Sequence, residues 1–362
     1  MIPEHTSDIT VDWLNERLAD VPGIGTVVGL EREPLGVGVG ILGELSRLKL
    51  SYAAGHDGPS TLIAKCQSAF EENIAFAQAM GFYVREINFY NQIAPDIALR
   101  VPHCYAADMA PGGIPFVLLL EEIVGARMID QLAGASRADC TSVVACVSSL
   151  HSRFWESEEL YALDWLPPMN NDLYKGAAAI QTALWDGFTA RWGSRLPRTA
   201  LDSIERVTGC YGELLDWWAD QGNATFTHTD CRADNYLFGG SAGTDVTTVL
   251  DFQLSTRHVG VWDIANFMAA SVTTANRRAW EHDVVHEYHA ALLAKGVSDE
   301  YTFERCWREY RYCLLQQAWA ITVAADLEPA NERGRALLDA MTIRPFQAVE
   351  DLRAWENLDE LA

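Results

Sequence analysis

The chain runs on two hydrophobic periods, and the change from one to the other divides it. At 10–19, Val11, Leu14 and Leu18 share one face behind Thr10, which predicts a short capped helix. Period two then takes over. Residues 27–35 read as a strand, and Leu48, Leu50 and Tyr52 alternate with Arg47, Lys49 and Ser51. Residues 61–66 form another strand, and 101–108 and 114–120 two more on either side of Pro111-Gly112-Gly113. One long helical stretch, 71–94, interrupts the strands and carries Tyr83, Ile87 and Tyr90 on one stripe.

Beyond Gly125 the period becomes helical. Ser136 and Asp139 form a capping-box start, followed by an apolar face of Val143, Val144, Val147, Leu150 and Phe154. His151 falls in the core or at an interface of that helix. Residues 155–174 read as irregular, and 198–220 repeat Leu201, Ile204, Val207, Tyr211, Leu215 and Trp218 at helical spacing. Two short strands, 236–238 and 246–250, flank a glycine-rich turn, and such a hairpin would carry Asn235 and Asp251 to one end. The remainder, 275–361, is helical.

Composition narrows the class of protein. The chain has 362 residues, 49% of them hydrophobic and 21% charged, which suits a soluble globular protein with room for two cores. Lys and Arg number 27 against 50 Asp and Glu, a net charge of −23. Such a surface repels nucleic acid and anionic membrane and attracts cationic ligands, or else simply keeps the protein in solution. The 8 cysteines include no C-x-x-C pair and read as reduced thiols. The start, Met1-Ile2-Pro3-Glu4-His5, has no basic and apolar leader pattern, and the longest apolar run, 114–120, is too short to span a bilayer. A cytoplasmic protein is expected.

Three segments carry candidate chemistry. Gly38, Gly40 and Gly43 spell G-x-G-x-x-G between two strands. A dinucleotide fold needs a helix after such glycines, whereas strand period follows here. The segment is therefore either a phosphate-covering hairpin or a glycine hairpin with no ligand. Lys65 lies inside an apolar strand, where an ammonium is costly unless it has a partner. Residues 228–235 read H-x-D-x-x-x-x-N, and Val249-Leu250-Asp251-Phe252 follows. Phosphoryl transfer needs a carboxylate to hold the attacking hydroxyl and oxygen ligands for Mg²⁺. Asp230 suits the first task, and Asn235 with Asp251 the second.

These residues resemble the catalytic and metal-binding segments of the aminoglycoside phosphotransferase superfamily. That group includes choline kinases, ecdysteroid kinase-like proteins and hydroxyacyl-CoA kinase domains, and it is similar in fold to protein kinases. Thr229 stands where the superfamily usually has Gly, and the kinase D-F-G reads Asp251-Phe252-Gln253. The resemblance implies a two-lobed, protein-kinase-like α+β fold. Its small N-lobe, 1–122, would hold a five-stranded antiparallel sheet and one main helix, and its C-lobe, 123–362, would be large and mostly helical. It implies that Lys65 contacts the nucleotide phosphates with Glu86 as its helix partner, and that Glu121 and Ile123 offer backbone groups to the purine. Asp263 would brace the catalytic loop, with His228 as structural support, while Arg232 and Asp234 organise it. ATP (or GTP) with Mg²⁺ would lie between the lobes, and the partner would be a small-molecule alcohol, with no nucleic acid or membrane involved. The acceptor and the oligomeric state are not fixed by these residues. The alternatives are a metal-dependent phosphohydrolase using His228, Asp230 and Asp251, which the Gly loop and Lys65 oppose, and a nucleotide-binding pseudokinase.

Overall fold

The computed structural model describes residues 1–35, 42–324 and 331–360. Contacts group the chain into two compact units, Met1–Ala126 with Phe238–Leu254, and Arg127–Leu237 with Ser255–Ala362. A single cut after residue 122 cannot describe this division, because 238–254 returns to the first unit.

In the first unit the strands β1 (Val27–Leu35), β2 (Gly43–Tyr52), β3 (Thr61–Gln67), β4 (Cys104–Met109) and β5 (Phe116–Glu121) form one antiparallel sheet in the order β1-β2-β3-β5-β4. Helix α1 (Val11–Leu18) is capped by Thr10, whose side chain accepts the Trp13 N–H. Trp13, Leu14 and Leu18 pack with Leu48, Leu62, Ala64, Cys66, Val117 and Leu119 into one buried cluster. Because side chains alternate along a strand, the face of β3 that carries Leu62, Ala64 and Cys66 excludes Lys65. Lys65 points the other way.

The expected helix at 71–94 is broken. α2 (Glu71–Met80) ends at Gly81 in the left-handed region, φ 71° and ψ 23°, and α3 (Phe82–Asn88) starts anew. The Gly81 N–H bonds to the carbonyls of Ala77 and Gln78, a glycine helix stop. A π-helical turn, Phe89–Ile93, follows. β4 and β5 each start later than the hydrophobic runs suggest, after Pro102 and Pro115, which have no N–H to give to a ladder.

The second unit is mostly helical: α4 (Arg137–Phe154), α5 (Glu158–Ala162), α6 (Asp172–Trp192), α7 (Arg198–Gly209), α8 (Tyr211–Ala219), α9 (Val261–Ser271), α10 (Thr274–Ala294), α11 (Phe303–Ala324) and α12 (Glu332–Asp351). α9 lies in the middle, packed by α4, α10, α11 and α12, and almost every side chain it carries is buried. The expected face of α4 is buried in full, and its Ser136–Asp139 capping box is formed. The stripe over 201–218 is buried too, although Cys210 divides it between α7 and α8. α6 was not expected. A two-stranded ribbon pairs Ala224–Thr227 with Thr256–Val259, placing Thr227 opposite Thr256 at the mouth of the segment 228–235. Among the described residues no helix is long and apolar enough to cross a membrane.

Candidate active site

Each unit holds one cluster of candidate residues. In the first, the Lys65 ammonium is 2.7 Å from Glu86 Oε2 and 3.2 Å from Asp251 Oδ1. Lys65 and Glu86 are buried, while the Asp251 side chain keeps 29% exposure. Burial works against the ammonium, but the charges of Asp251 and Glu86 outweigh it and hold Lys65 above its ordinary pKa. Burial also pushes Glu86 upward, against the pull of Lys65, and the Asp251 charge adds to the push. One ammonium thus serves two carboxyl groups, the buried one of Glu86 and the partly exposed one of Asp251.

The backbone around the triad explains how it is held. Asp251 has φ 62°, a left-handed conformation uncommon outside glycine. It is over-determined from both sides: Gln253 Nε2 donates to Asp251 Oδ2 at 3.3 Å, and Phe252 stacks on Phe89 with centroids 3.6 Å apart and planes 7° apart. The Phe89–Phe252 stack ties the metal-ligand candidate to the π-helical turn that directly follows the helix carrying Glu86, a pairing that no local pattern announces. Gly43, at the start of β2, runs so close to β3 that a Cβ there would sit 3.2 Å from Lys65 Cε and 3.2 Å from the Cys66 carbonyl. Its lack of a side chain makes room for the lysine stem. Gly38 and Gly40 lie outside the described residues.

At the exit of β5, Glu121 is turned to structural work. Its carboxylate is 2.5 Å from Arg100 Nη2 and accepts the His103 N–H at 3.0 Å, and its own N–H donates to the His103 carbonyl. Ile123 is buried. Val124 is strapped to the glycine-rich turn: its N–H donates to Ser241 Oγ at 3.0 Å, and its carbonyl accepts the Ser241 N–H at 2.8 Å.

In the second unit Asp263, fully buried on α9, is the hub of the loop. It accepts the His228 N–H at 2.8 Å and the Thr229 N–H at 2.9 Å, and His151 Nε2 lies 3.1 Å away. His151 Nδ1 in turn meets the Tyr288 hydroxyl at 2.9 Å. A buried carboxylate needs this many partners. Thr229 has φ 70°. Its hydroxyl joins those of Thr256 (2.8 Å) and Thr227 (3.1 Å), and Trp262 Nε1 donates to its carbonyl at 3.3 Å.

That brace presents Asp230. Arg232 Nε is 2.9 Å from Asp230 Oδ1, and Asn235 Nδ2 donates to the Asp230 carbonyl at 2.8 Å and to Oδ2 at 3.0 Å. The carboxylate keeps partial exposure, 19%. Arg232 also reaches Asp234 at 3.2 Å. The Asn235 amide nitrogen is thereby committed to Asp230. Among the described residues no group of three or more His, Cys, Asp or Glu could cage a metal. Mg²⁺ bound through one or two side chains, phosphate and water needs no such cage.

The comparisons with known proteins agree on the architecture. A model of the ecdysteroid kinase-like family matches residues 38–296. Among solved structures, a candidate aminoglycoside phosphotransferase from Ralstonia eutropha aligns with a TM-score of 0.57 at 16% identity, over 97% of each chain. An ethanolamine kinase from Plasmodium vivax aligns with a TM-score of 0.53 at 13% identity, over 91% of this chain and 85% of that one. A GDP complex of a mutant aminoglycoside 2'-phosphotransferase-IIIa aligns with a TM-score of 0.51 at 10% identity, over 96% of this chain and 97% of that one. These likenesses establish a protein-kinase-like fold. No curated protein sequence matches the chain.

Proposed function

Because the chain belongs to the ecdysteroid kinase-like family, we propose that it is a small-molecule O-phosphotransferase, moving the γ-phosphate of ATP or GTP to an alcohol with Mg²⁺ as cofactor. The observation that carries this reading is the buried Lys65 ammonium shared by Glu86 and Asp251. A lysine in that setting is a fixed positive charge for phosphate oxygens, and the partly exposed Asp251 carboxyl beside it offers oxygens to a divalent cation. The metal would supply charge neutralisation on the phosphates, with Asp251 and Asn235 as its protein ligands. Glu86 would keep Lys65 extended, and the loop glycines with Gly43 would let backbone approach the nucleotide. Asp230, gripped by Arg232 and Asn235, would orient the acceptor hydroxyl and take its proton.

The names of the family and of the similar structures point to ecdysteroids, aminoglycosides and ethanolamine as acceptors to try first. The net charge of −23 favours the cationic ones, and the many Trp and Tyr residues favour an apolar alcohol. The test is a panel of such alcohols with ATP and with GTP, each against an acceptor-free control. Phosphorylated acceptor should form in an amount equal to the nucleoside diphosphate released. Accumulation of inorganic phosphate alone under every condition would make the protein a phosphohydrolase instead. In parallel, Mg-ATP should raise the thermal midpoint, and Asp251→Ala should remove the part of that rise that depends on Mg²⁺. An equal rise in both proteins would take Asp251 out of the metal site.

A further inference from the structure

The second unit contains a cavity of about 260 Å³ whose lining includes Tyr161, Met169, Leu215, Trp218, Arg257 and His258. None of its lining residues belongs to the segment 228–235, and none is acidic. Its volume lies below the roughly 300–1,000 Å³ of sites for drug-sized ligands, so an occupant would be small.

Three polar groups on this wall lack the partners that such groups normally have, and one of them is His258, whose Nε2 is buried without a hydrogen-bond partner. Trp218 is 2% exposed, and its indole Nε1 has no hydrogen-bond partner. A buried indole N–H left unmatched is costly and calls for water or a ligand. The Arg257 guanidinium lies 4.8 Å over the Tyr161 ring, and none of the residues lining the cavity is a carboxylate that could pair with it. Arg257 brings a positive charge to the lining of this cavity in a chain with 50 acidic and 27 basic residues. The nearby carboxylate of Glu156 is committed elsewhere, accepting from the Tyr161 hydroxyl at 2.8 Å and from the Ala224 N–H. His258 is held neutral by burial, its pKa lowered to about 4, so it adds no second charge. The wall therefore offers the Arg257 guanidinium, the Trp218 indole N–H and the neutral His258 ring, with no carboxylate among its lining residues, beside the apolar surfaces of Met169 and Leu215.

We propose that this cavity is a binding site for a small aromatic carboxylate, with the carboxylate on the Arg257 guanidinium and the Trp218 indole N–H, and the ring against Met169 and Leu215. Arginine matches a carboxylate with two parallel donors, and an aromatic body fits a space walled by Tyr161 and Trp218. The site stands apart from phosphoryl transfer, and its occupancy does not depend on that reading.

The experiment titrates benzoate into the full chain and follows the indole N–H resonance of Trp218, assigned by its loss in Trp218→Phe. Benzyl alcohol, of like shape and no charge, is the counterpart. Benzoate should shift the Trp218 resonance saturably, and benzyl alcohol should bind at least about tenfold more weakly, as loss of a charged hydrogen-bond partner requires. Arg257→Gln, checked for an unchanged thermal midpoint, should weaken benzoate by a similar factor. No saturable shift with benzoate would mean that the cavity holds only water, and an equal response to benzyl alcohol would mean an apolar hole with no anion site. Either result overturns the proposal. The comparison of the two ligands uses the unaltered protein, so it decides the matter even if a variant fails to fold.

Discussion

Thr229 sits at φ 70° with a β-branched side chain, a conformation that costs on the order of 1–3 kcal/mol. What holds it there is the set of hydroxyl contacts to Thr227 and Thr256 and the two N–H bonds that Asp263 accepts from His228 and Thr229. Thr229→Ala keeps the strain and loses the hydroxyl, so it should lower unfolding stability in urea by roughly 1–2 kcal/mol. Thr229→Gly loses the same hydroxyl but also the strain, and should cost less than Thr229→Ala. A larger loss for Gly would mean that the threonine is not strained. Asp230→Asn should lower kcat by about two to four orders of magnitude, the range for a positioned general base. Nucleotide affinity should change little, because Lys65 and Asp251 are untouched. Loss of nucleotide binding with turnover preserved would remove Asp230 from its role. Part of this scale was marked in the sequence: Lys65 stood out as an ammonium inside an apolar strand, and the H-x-D-x-x-x-x-N motif with the following strand singled out Asp230, Asn235 and Asp251, while Glu86 came only from the family resemblance. The threonine cluster was not marked, because Thr256 lies 27 residues from Thr229 and no local pattern links them.

The elements whose burial is one-sided were the ones that could be read. α1, α4, α7 and α8 bury the faces that their spacing marks. α6 spans 21 residues yet buries only Gln181, Phe188 and Trp192, and it contains Gly176 and Gly187, so no apolar stripe announced it. The break at Gly81 was missed for the opposite reason. Periodicity continues across it into Tyr83, Ile87 and Tyr90, and only the left-handed backbone reveals the stop. A Cβ at Gly81 would meet nothing within 4 Å, so the cost of adding one is conformational alone. Gly81→Ala should therefore destabilise the protein by about 1 kcal/mol in urea unfolding. A stabilising effect would show that α2 and α3 prefer to run on as one helix.

At the scale of the whole molecule, the order of the parts was legible and the discontinuity of the first unit was not, since hydrophobic period says nothing of which unit a hairpin joins. Acid sensitivity is also a property of the whole chain, and His258 gives it a definite sign. Its folded pKa is about 4 against 6.5 unfolded, with burial as the main cause. Between those values the unfolded chain holds more protons, so stability falls as pH drops through that window. On going from about pH 7 to about pH 5, the parent should lose roughly 2 kcal/mol more than His258→Gln. Equal losses in urea unfolding would show that His258 is not buried as a neutral ring. The return of 238–254 to the first unit bears on how the protein is made. Asp251 follows Lys65 by 186 residues. At about 5–20 residues per second, a ribosome needs roughly 10–40 seconds to deliver it. For that time the nascent sheet can offer Lys65 only Glu86, and Phe89 has no Phe252 to stack on. The domain that emerges first is therefore the one that must wait, and it closes only after more than a hundred residues of the other have left the ribosome.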